Sequence, residues 1–533
     1  MTQCKMNWEN PYSMPRFPTI SKNGMVATSQ PTAAQAGITI LNQGGNAVDA
    51  AIATAAALTV VEPTCNGIGG DAFAIVWFKD KMYGLNGSGP APKSISLEAI
   101  TKLGYDKIPS RGWLGVTVPG VPSAWASLAK RFGKLPLIET LQPAIKLAQE
   151  GYAIPVNLAY LWQNSFLEYS TLKGEEFKSW FETFTINNKA PTCGQVWRSE
   201  AHAKTLESIG LSEGKSFYQG ELADQIDAYS KKYGGYLRKD DLFDYQAKWV
   251  EPIGVDYRNF KVWEIPPNGQ GVAVLMALNI LNQLDADQLS IHNTIEAVKL
   301  AMSDAAFYVT DPTKMSHSVD DLLSLKYAKQ RKNEIKESAQ IPKHGIIEKG
   351  GTVYLATSDS EGNMVSYIQS NYEEFGSALV VPNTGIALQN RGANFSLDPN
   401  HLNVLEPGKK SYHTIIPGFL TKDGKPIGPF GVMGGFNQPQ AHIQVLSNLI
   451  DFNLNPQAAL DAPRWRHLKD NQIIVEPHFS LHSQKELVKK GHIVTTSMKS
   501  EMFGRGQIIW KDEINKTYIG GTESRTDSSI AVL

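Results

Sequence analysis

The stretch that decides the fold is residues 351–370, GTVYLATSDSEGNMVSYIQS. Residues 352–357 and 364–370 are rich in the β-branched and aromatic residues that favour strands, and the polar segment 358–363 is typical of a turn. The pattern predicts a β-hairpin. Further elements predicted after it are strands at 379–381, 385–388 and 414–420, with a helix over 438–450 closing the set.

The part of the chain before this hairpin is predicted to be mostly helical. A short strand at 24–29 leads into a helix over 31–42, and Asn46 with Asp49 forms the capping-box pattern that begins a second helix. Other predicted elements are a strand at 72–77, helices over 123–245 with breaks at Gly151, Gly210 and Gly234, a helix at 292–308, and a solvated helix with its tail at 327–349. Helices lead and strands follow, which favours an α/β sandwich over a parallel βαβ series.

Composition excludes several classes of partner. The 533 residues include 51 basic and 52 acidic side chains, a net charge of −1, so we expect neither nucleic acid nor an anionic membrane as a partner. Three well-separated cysteines suggest neither a disulfide framework nor a metal site. The N-terminus has prolines and charges where an export signal needs an apolar stretch, and the apolar stretch 50–61 is too short to span a membrane. We expect a cytoplasmic protein.

Common catalytic signatures are incomplete. The glycine loop 67–70 does not fit the G-x-G-x-x-G pattern, and Lys409-Lys410-Ser411 lacks the first glycine of a phosphate-binding loop. The 11 histidines form no H-E-x-x-H motif, and no G-x-S-x-G elbow occurs. We therefore expect no metal and no cofactor, and we do not expect serine-hydrolase chemistry.

A series of blocks runs along nearly the whole chain. Those before Thr352 are Gly45-Asn46-Ala47-Val48-Asp49-Ala50-Ala51, Val61-Glu62-Pro63, Gly67-Ile68-Gly69-Gly70-Asp71-Ala72-Phe73, Val118-Pro119-Gly120, Phe217-Tyr218, Pro266-Pro267, Gln270-Gly271 and Glu296-Ala297 with Lys299. Those after it are Gly362-Asn363, Val365-Ser366, Phe375-Gly376 and Gly434-Gly435. In this order they resemble the γ-glutamyltransferase (glutathione hydrolase) family, and within it the cephalosporin-acylase-like subgroup with altered head-group residues.

The resemblance implies a four-layer αββα sandwich of the N-terminal-nucleophile hydrolase type. It also implies an inactive precursor that cuts itself between Gly351 and Thr352 into a large subunit, 1–351, and a small subunit, 352–533, with a dimer of such heterodimers as a further option. A freed α-amino group has a pKa of about 8 and can take the proton from the hydroxyl of the same threonine. Thr352 would then be both nucleophile and base.

The resemblance also assigns supporting roles at the reaction centre. Gly434-Gly435 matches a glycine pair whose backbone N–H groups hold the developing oxyanion, and residues without side chains let such donors approach closely. Ser370 stands where the family has a threonine that hydrogen-bonds the nucleophile. It keeps the hydroxyl.

The substrate pocket departs from the family pattern. Ser88 stands where the family has the arginine for the substrate α-carboxylate, and Arg391 and Asn394 stand on the side that receives the α-ammonium. Tyr372 replaces an asparagine, and His413-Thr414 replaces the serine pair that in the family assists the substrate carboxylate. An arginine on the ammonium side would repel that group and attract a carboxylate instead.

Three functions remain open from the sequence. The first is hydrolysis or transfer of γ-glutamyl or related acyl amides such as glutathione, through an acyl-enzyme. The second is a cephalosporin-acylase-like amidase for glutaryl-type donors, which the altered pocket favours. The third is a non-catalytic binding relative, against which Thr352 argues. The first two predict a small-molecule amide or peptide substrate.

Overall fold

A computed structural model describes residues 16–285, 288–342 and 351–533. The helices are α1 (Pro31–Asn42), α2 (Ala47–Val61), α3 (Leu97–Lys102), α4 (Val121–Phe132), α5 (Leu137–Glu150), α6 (Val156–Tyr169), α7 (Lys178–Phe184), α8 (Glu200–Leu211), α9 (Lys215–Gln219), α10 (Glu221–Lys232), α11 (Lys239–Phe243), α12 (Gly271–Leu281), α13 (Ile291–Tyr308), α14 (Val319–Leu322), α15 (Leu325–Lys332), α16 (Gln438–Ile450), α17 (Pro456–Asp461) and α18 (Leu481–Lys489). The strands are β1 (Thr19–Ser21), β2 (Met25–Thr28), β3 (Asp71–Phe78), β4 (Lys81–Gly87), β5 (Tyr152–Ala153), β6 (Val196–Trp197), β7 (Lys248–Val250), β8 (Ile253–Tyr257), β9 (Phe260–Glu264), β10 (Gly351–Ser358), β11 (Met364–Tyr372), β12 (Gly418–Lys422), β13 (Lys425–Met433), β14 (Trp465–His467), β15 (Gln472–Val475), β16 (Ile493–Thr496), β17 (Arg505–Asp512), β18 (Thr517–Thr522) and β19 (Ser529–Val532).

Two seven-stranded sheets form the centre of the molecule. Sheet I has the order β1-β18-β17-β13-β12-β9-β8, and sheet II has the order β19-β2-β10-β11-β3-β4-β7. Neighbouring strands are antiparallel throughout both sheets. Strands that are far apart in sequence therefore lie side by side, and the predicted hairpin, β10 with β11, is confirmed in the middle of sheet II.

Side chains alternate between the two faces of the hairpin, so single contacts show which layer each face packs against. Thr357 Oγ1 donates to the Ala47 carbonyl at 2.7 Å, so one face of β10 packs on α2. The opposite face meets sheet I, because a Cβ atom at Gly431 would lie 2.4 Å from the Tyr354 ring. On the far side of sheet I, the Val432 N–H donates to Nε2 of His442, in α16, at 3.0 Å. The layer order is helix, sheet II, sheet I, helix, and the predicted αββα sandwich is confirmed.

Local signals located several elements well. Asn46 accepts hydrogen bonds from the backbone of Val48 and Asp49, and the Asp49 carboxylate accepts from the Asn46 N–H, so the predicted capping box begins α2. Helices α1, α13 and α16 begin within a residue of their predicted starts.

Other predictions were wrong. Residues 379–381 and 385–388 form only isolated bridges, such as Val380 with Ala387, because these buried segments pack in a loop and not within a sheet. The strand predicted from residue 414 begins at Gly418, Gly210 lies inside α8, and α16 does not close the fold. Strand β13 was missed; its sequence, KPIGPFGVM, contains two prolines and two glycines, which hide the strand pattern.

Two further predictions concern membranes and unassigned segments. Within the described residues, the helices are all too short or too polar to cross a bilayer. Cys4, the N-terminal segment around it, and residues 343–349 of the predicted charged tail lie outside the described residues.

Candidate active site

Thr352 lies at an irregularity in the pairing of the central hairpin. Gly351 pairs with Tyr372 and Val353 pairs with Gln369, so two residues of β11, Ser370 and its successor, oppose the single residue Thr352. Such a bulge re-aims a side chain without ending the sheet. The Thr352 side chain is buried, and its Oγ1 donates to Ser370 Oγ at 3.2 Å.

Ser370 connects the nucleophile candidate to the substrate pocket. Its Oγ also accepts a hydrogen bond from the Tyr372 N–H at 2.7 Å. Ser366, two alternations earlier on the same face of β11, bonds the Tyr354 hydroxyl that points toward sheet I. Ser370 therefore faces the space between the sheets. The predicted contact between Ser370 and Thr352 is present, while the catalytic roles of both residues stay predictions.

Tyr372 adopts a backbone conformation that is unusual for an aromatic residue, with φ at +80°. Its ring is buried and lies under the Arg391 guanidinium, whose central carbon is 4.4 Å from the ring centre. Strain of this kind is commonly stored at functional sites. Here the backbone twist directs the aromatic ring against the cation.

Arg391 is the most unusual group of the site. Its side chain is 1% exposed, and Nη1 donates to Thr414 Oγ1 at 2.7 Å. Within the described part of the chain, Nε and Nη2 have no hydrogen-bond partner. Burial lowers the pKa of Arg391 to about 10, although nearby Asp71 partly offsets this. Arg391 was predicted on the ammonium side of the pocket, but it contacts Thr414, which was predicted on the carboxylate side.

Asp71 and His413 form a buried pair that sequence reasoning did not assign to the site as a unit. His413 Nε2 lies 3.0 Å from Asp71 Oδ2, and Asp71 Oδ1 accepts from Gln389 Nε2 at 2.8 Å and from the Gly89 N–H at 3.2 Å. Burial raises the pKa of Asp71 to about 7. Burial, with Arg391 and Lys410 nearby, lowers the pKa of His413 well below its usual value, so the imidazole is neutral.

The remaining predicted pocket residues take two places. Ser88 Oγ donates to Asn86 Oδ1 at 2.7 Å and lies 3.2 Å from Asn268 Oδ1, so the position that the family gives to an arginine holds a neutral network. Asn394 is half-buried, and its side-chain amide donates to the Tyr412 carbonyl at 3.2 Å. Asn394 thus supports the loop before His413.

The glycine pair lies directly after β13. Gly434 and Gly435 have φ of +144° and +58°, in the region that side chains disfavour. Gln270 Nε2 donates to the Gly435 carbonyl at 2.9 Å and to the Thr414 carbonyl at 2.6 Å, which fixes the pair relative to the Arg391 contact. One unbroken line of contacts joins Thr352, Ser370, Tyr372, Arg391, Thr414, Gln270 and Gly435.

A separate cluster has metal-type ligands. His292, Glu296 and His492 lie together among the described residues. However, His292 Nδ1 and His492 Nε2 are hydrogen-bonded at 2.8 Å, and Lys299 Nζ already pairs with Glu296 Oε1 at 2.7 Å. An ammonium group on the carboxylate opposes a second cation there, and we assign no metal to this cluster.

Two antiparallel sheets stacked between helical layers, with a buried threonine hydroxyl near the start of a central strand, define an N-terminal-nucleophile hydrolase. A family model described as gamma-glutamyltranspeptidase matches residues 33–533. The chain belongs to the γ-glutamyltranspeptidase family.

Relatives cover almost the whole chain. The glutathione hydrolase-like YwrD proenzyme of Bacillus subtilis (strain 168) is 34% identical, over 96% of this chain and 98% of its own. The oxamate amidohydrolase proenzyme of Klebsiella pneumoniae subsp. pneumoniae is 33% identical, over 84% and 85%. The crystal structure of cephalosporin acylase from Bacillus halodurans has 56% sequence identity and a TM-score of 0.96, covering 99% of each chain. The chain is therefore an enzyme, a self-processing N-terminal-nucleophile hydrolase or acyltransferase of this family.

Proposed function

We propose that the chain cuts itself between Gly351 and Thr352, and that the freed Thr352 hydrolyses amides whose acyl group carries a carboxylate but no α-amine, such as glutaryl amides. The observation that carries the choice of donor is Arg391, a buried guanidinium with two donor atoms, Nε and Nη2, unpartnered within the described residues. A buried cation with spare donors is costly unless an anion completes it.

The processing step uses groups that are already in contact. Thr352 Oγ1 would add to the Gly351 carbonyl carbon, with Ser370 Oγ as its hydrogen-bond acceptor at 3.2 Å. The peptide nitrogen then leaves as the α-amino group of Thr352, and an ester joins Gly351 to the hydroxyl. Water hydrolyses that ester, which frees a carboxylate on Gly351 and the hydroxyl of Thr352.

Turnover would repeat the same chemistry on an external amide. The α-amino group of Thr352 takes the hydroxyl proton while Oγ1 attacks the donor carbonyl, and the proton then passes to the leaving amine. The N–H groups of Gly434 and Gly435 would stabilise the oxyanion. Water, or an acceptor amine in a transfer reaction, then releases the acyl group from the threonine ester.

Charge selects the donor in this proposal. An ammonium group about 4 Å from the Arg391 guanidinium would be repelled by about 1 to 4 kcal/mol. A carboxylate would instead receive a bidentate pair of hydrogen bonds from the open Nε and Nη2. The names of two relatives, cephalosporin acylase and oxamate amidohydrolase, support donors other than γ-glutamyl compounds.

Glutathione and other γ-glutamyl amides are the second candidate. A relative named glutathione hydrolase-like, similar over 96% of this chain, favours them. The site carboxylate that could receive a substrate ammonium is Asp71. Its two oxygens, however, already accept hydrogen bonds from His413, Gln389 and Gly89.

A single protein preparation tests both the cleavage site and the choice of acyl donor. Intact mass should show fragments of 351 and 182 residues for the wild type and one whole chain for Thr352→Ala; a new N-terminus elsewhere would exclude Thr352. The processed enzyme should then be assayed on glutaryl, γ-glutamyl and butyryl p-nitroanilides and on glutathione. We expect the largest kcat/KM for the glutaryl donor. A larger kcat/KM for glutathione would overturn the donor assignment in favour of the second candidate.

Two further properties stay proposals. The three well-separated cysteines, which suggest no disulfide framework, support a cytoplasmic enzyme, which cell fractionation would test. Pairing of two heterodimers would be tested by light scattering of the processed protein.

A further inference from the structure

Lys409 and Lys410, the adjacent lysines of the incomplete phosphate-loop pattern, differ in how well their ammonium groups are hydrogen-bonded. Lys409 Nζ is saturated, donating to the carbonyls of Leu402 and Val404 and to Glu406 Oε1, at 2.7, 2.9 and 2.8 Å. Lys410 Nζ has one long contact, 3.5 Å to Asn86 Oδ1, and no carboxylate of the described residues forms an ion pair with it. An ammonium group this poorly satisfied, on a half-buried side chain, is a candidate anion-binding group.

The position of Lys410 ties it to the substrate pocket. Asn86 Oδ1, its contact, also accepts from Ser88 Oγ at 2.7 Å and from the Ser88 N–H at 3.0 Å. Ser88 is where the family pattern has an arginine for the substrate carboxylate. The cation missing from the position of Ser88 is therefore supplied by a neighbouring loop.

Lys410 and Arg391 act on the same centre. The charges of both cations lower the pKa of His413, and the charges of both act on the Asp71 carboxylate. Asp71 is already engaged by three donors, and among the described residues neither cation forms an ion pair with a carboxylate. Asp311 near Lys410 and Glu373 near Arg391 add negative charge without forming an ion pair with these cations, so both cations keep donors open to an anion.

We propose that Lys410 is a specificity-determining residue that binds the carboxylate of the acyl donor together with Arg391. This assignment rests on the proposed function and sharpens it. Arginine offers a fork of parallel donors and lysine a compact charge, so one carboxylate can take two hydrogen bonds from Arg391 and a third from Lys410. The fitting donors are short acyl chains that end in a carboxylate.

The test compares one anionic and one neutral donor of equal chain length. For glutaryl and butyryl p-nitroanilide, Lys410→Met should lower kcat/KM for the glutaryl donor about 10- to 100-fold more than for the butyryl donor. Lys410→Arg should restore most of the ratio. The matched control is Lys248→Met, because Lys248 is exposed and its charge also acts on Lys410. Lys248 pairs with Asn86 through the backbone of β7 and β4, and methionine keeps that pairing. The ratio in Lys248→Met should stay at the wild-type value.

A pH profile gives a second measurement that does not depend on Lys410→Met folding. Burial and Lys248 lower the pKa of Lys410 to about 8, while Asp71 and Asp311 oppose this. The protonated form binds the carboxylate, so the glutaryl-to-butyryl ratio of kcat/KM in the wild type should fall as pH rises through 8. Titration of the Thr352 amine affects both donors and cancels in the ratio. In Lys410→Arg the fall near pH 8 should vanish, while a smaller component from Asp71 near pH 7 remains.

The outcomes separate this inference from the proposed function. Equal losses on both donors in Lys410→Met, a Lys248→Met effect of the same size, or a fall near pH 8 that persists in Lys410→Arg would overturn the role of Lys410. A wild-type preference for γ-glutamyl over glutaryl donors would overturn the proposed function instead, and it leaves the glutaryl-to-butyryl comparison valid.

Discussion

Arg391→Met should weaken turnover of anionic donors without weakening the fold. Methionine keeps a long apolar side chain beside Tyr372 but removes the charge and the donated hydrogen bond to Thr414. Removing one partner of an ordinary buried ion pair costs about 3 to 5 kcal/mol of folding stability. The contacts of Arg391 predict a much smaller loss of folding stability for Arg391→Met.

The magnitude follows from the pKa of Arg391. Its decrease from 12.5 to about 10 corresponds to about 3 kcal/mol of destabilisation of the charged side chain in the folded state, at about 1.4 kcal/mol for each tenfold change. Because pH 7 lies below both values, the full cost is present there and is relieved only as pH rises through 10. Methionine removes this cost and gives up about 2 to 3 kcal/mol in the hydrogen bond to Thr414 and the stacking on Tyr372. The two changes nearly cancel.

The assay measures stability and activity separately. Stability is best compared in the Thr352→Ala background, where the chain stays whole and subunit dissociation does not affect unfolding. We expect a free energy of unfolding within about 1 kcal/mol of the parent. In processed enzyme, kcat/KM for the glutaryl donor should fall about 10- to 100-fold more than for the butyryl donor. A loss of stability above about 3 kcal/mol would make Arg391 a structural partner of Asp71, and an unchanged donor ratio would remove it from substrate binding.

Two further substitutions test the reaction centre. Gly435→Val should lower kcat about 100- to 1,000-fold because it disturbs an oxyanion donor. The control for backbone strain is Gly424→Val, because Gly424 has φ +75° in an exposed turn and a Cβ there would have nothing within 4 Å. Similar losses of kcat in both variants would exclude the donor role of Gly435. Ser370→Ala should slow self-cleavage about tenfold or more, followed as precursor half-time on a denaturing gel, because the Thr352 hydroxyl and the Tyr372 N–H each lose the hydrogen bond to Ser370 Oγ. Ser366→Ala on the same face is the control, and equal processing rates would contradict the assignment.

Elements with strong local signals could be predicted from the sequence. The capping box at Asn46 and the polar turn between β10 and β11 are specified by residues within a few positions of one another, and both are present as predicted. Buried apolar runs such as 379–381 carry no such signal, because burial alone does not say whether a segment pairs in a sheet. Strand β13 is held by its neighbours on both sides, β12 and β17, and not by its own pattern.

The pocket was harder to predict for the same reason. Asp71 and His413 are 342 positions apart, and no local pattern predicts their contact. Asn394 was predicted to bind the substrate, which stays a prediction, and no local pattern predicts the hydrogen bond that its amide donates to the Tyr412 carbonyl. An Asn394→Asp change would place a carboxylate against that carbonyl oxygen, so a return to γ-glutamyl recognition requires more than restoring the family residue there.

The proposed reaction centre and the proposed donor-binding residues lie in different parts of the fold. Thr352 and Ser370 are placed by strand register in sheet II, and the glycine pair is placed by the end of β13 in sheet I, so their geometry depends on backbone pairing across the sandwich. Arg391 lies instead at the start of a short 3-10 helix and Lys410 in a loop, and side chains in such connections can change without altering that pairing. Moving a cation from the position of Ser88 to these connections changes the charge of the pocket and leaves the nucleophile where it was. Members of one family can therefore differ in acyl donor through a few residues outside the sheets, which is how we propose that Arg391 and Lys410 select a donor that supplies the carboxylate.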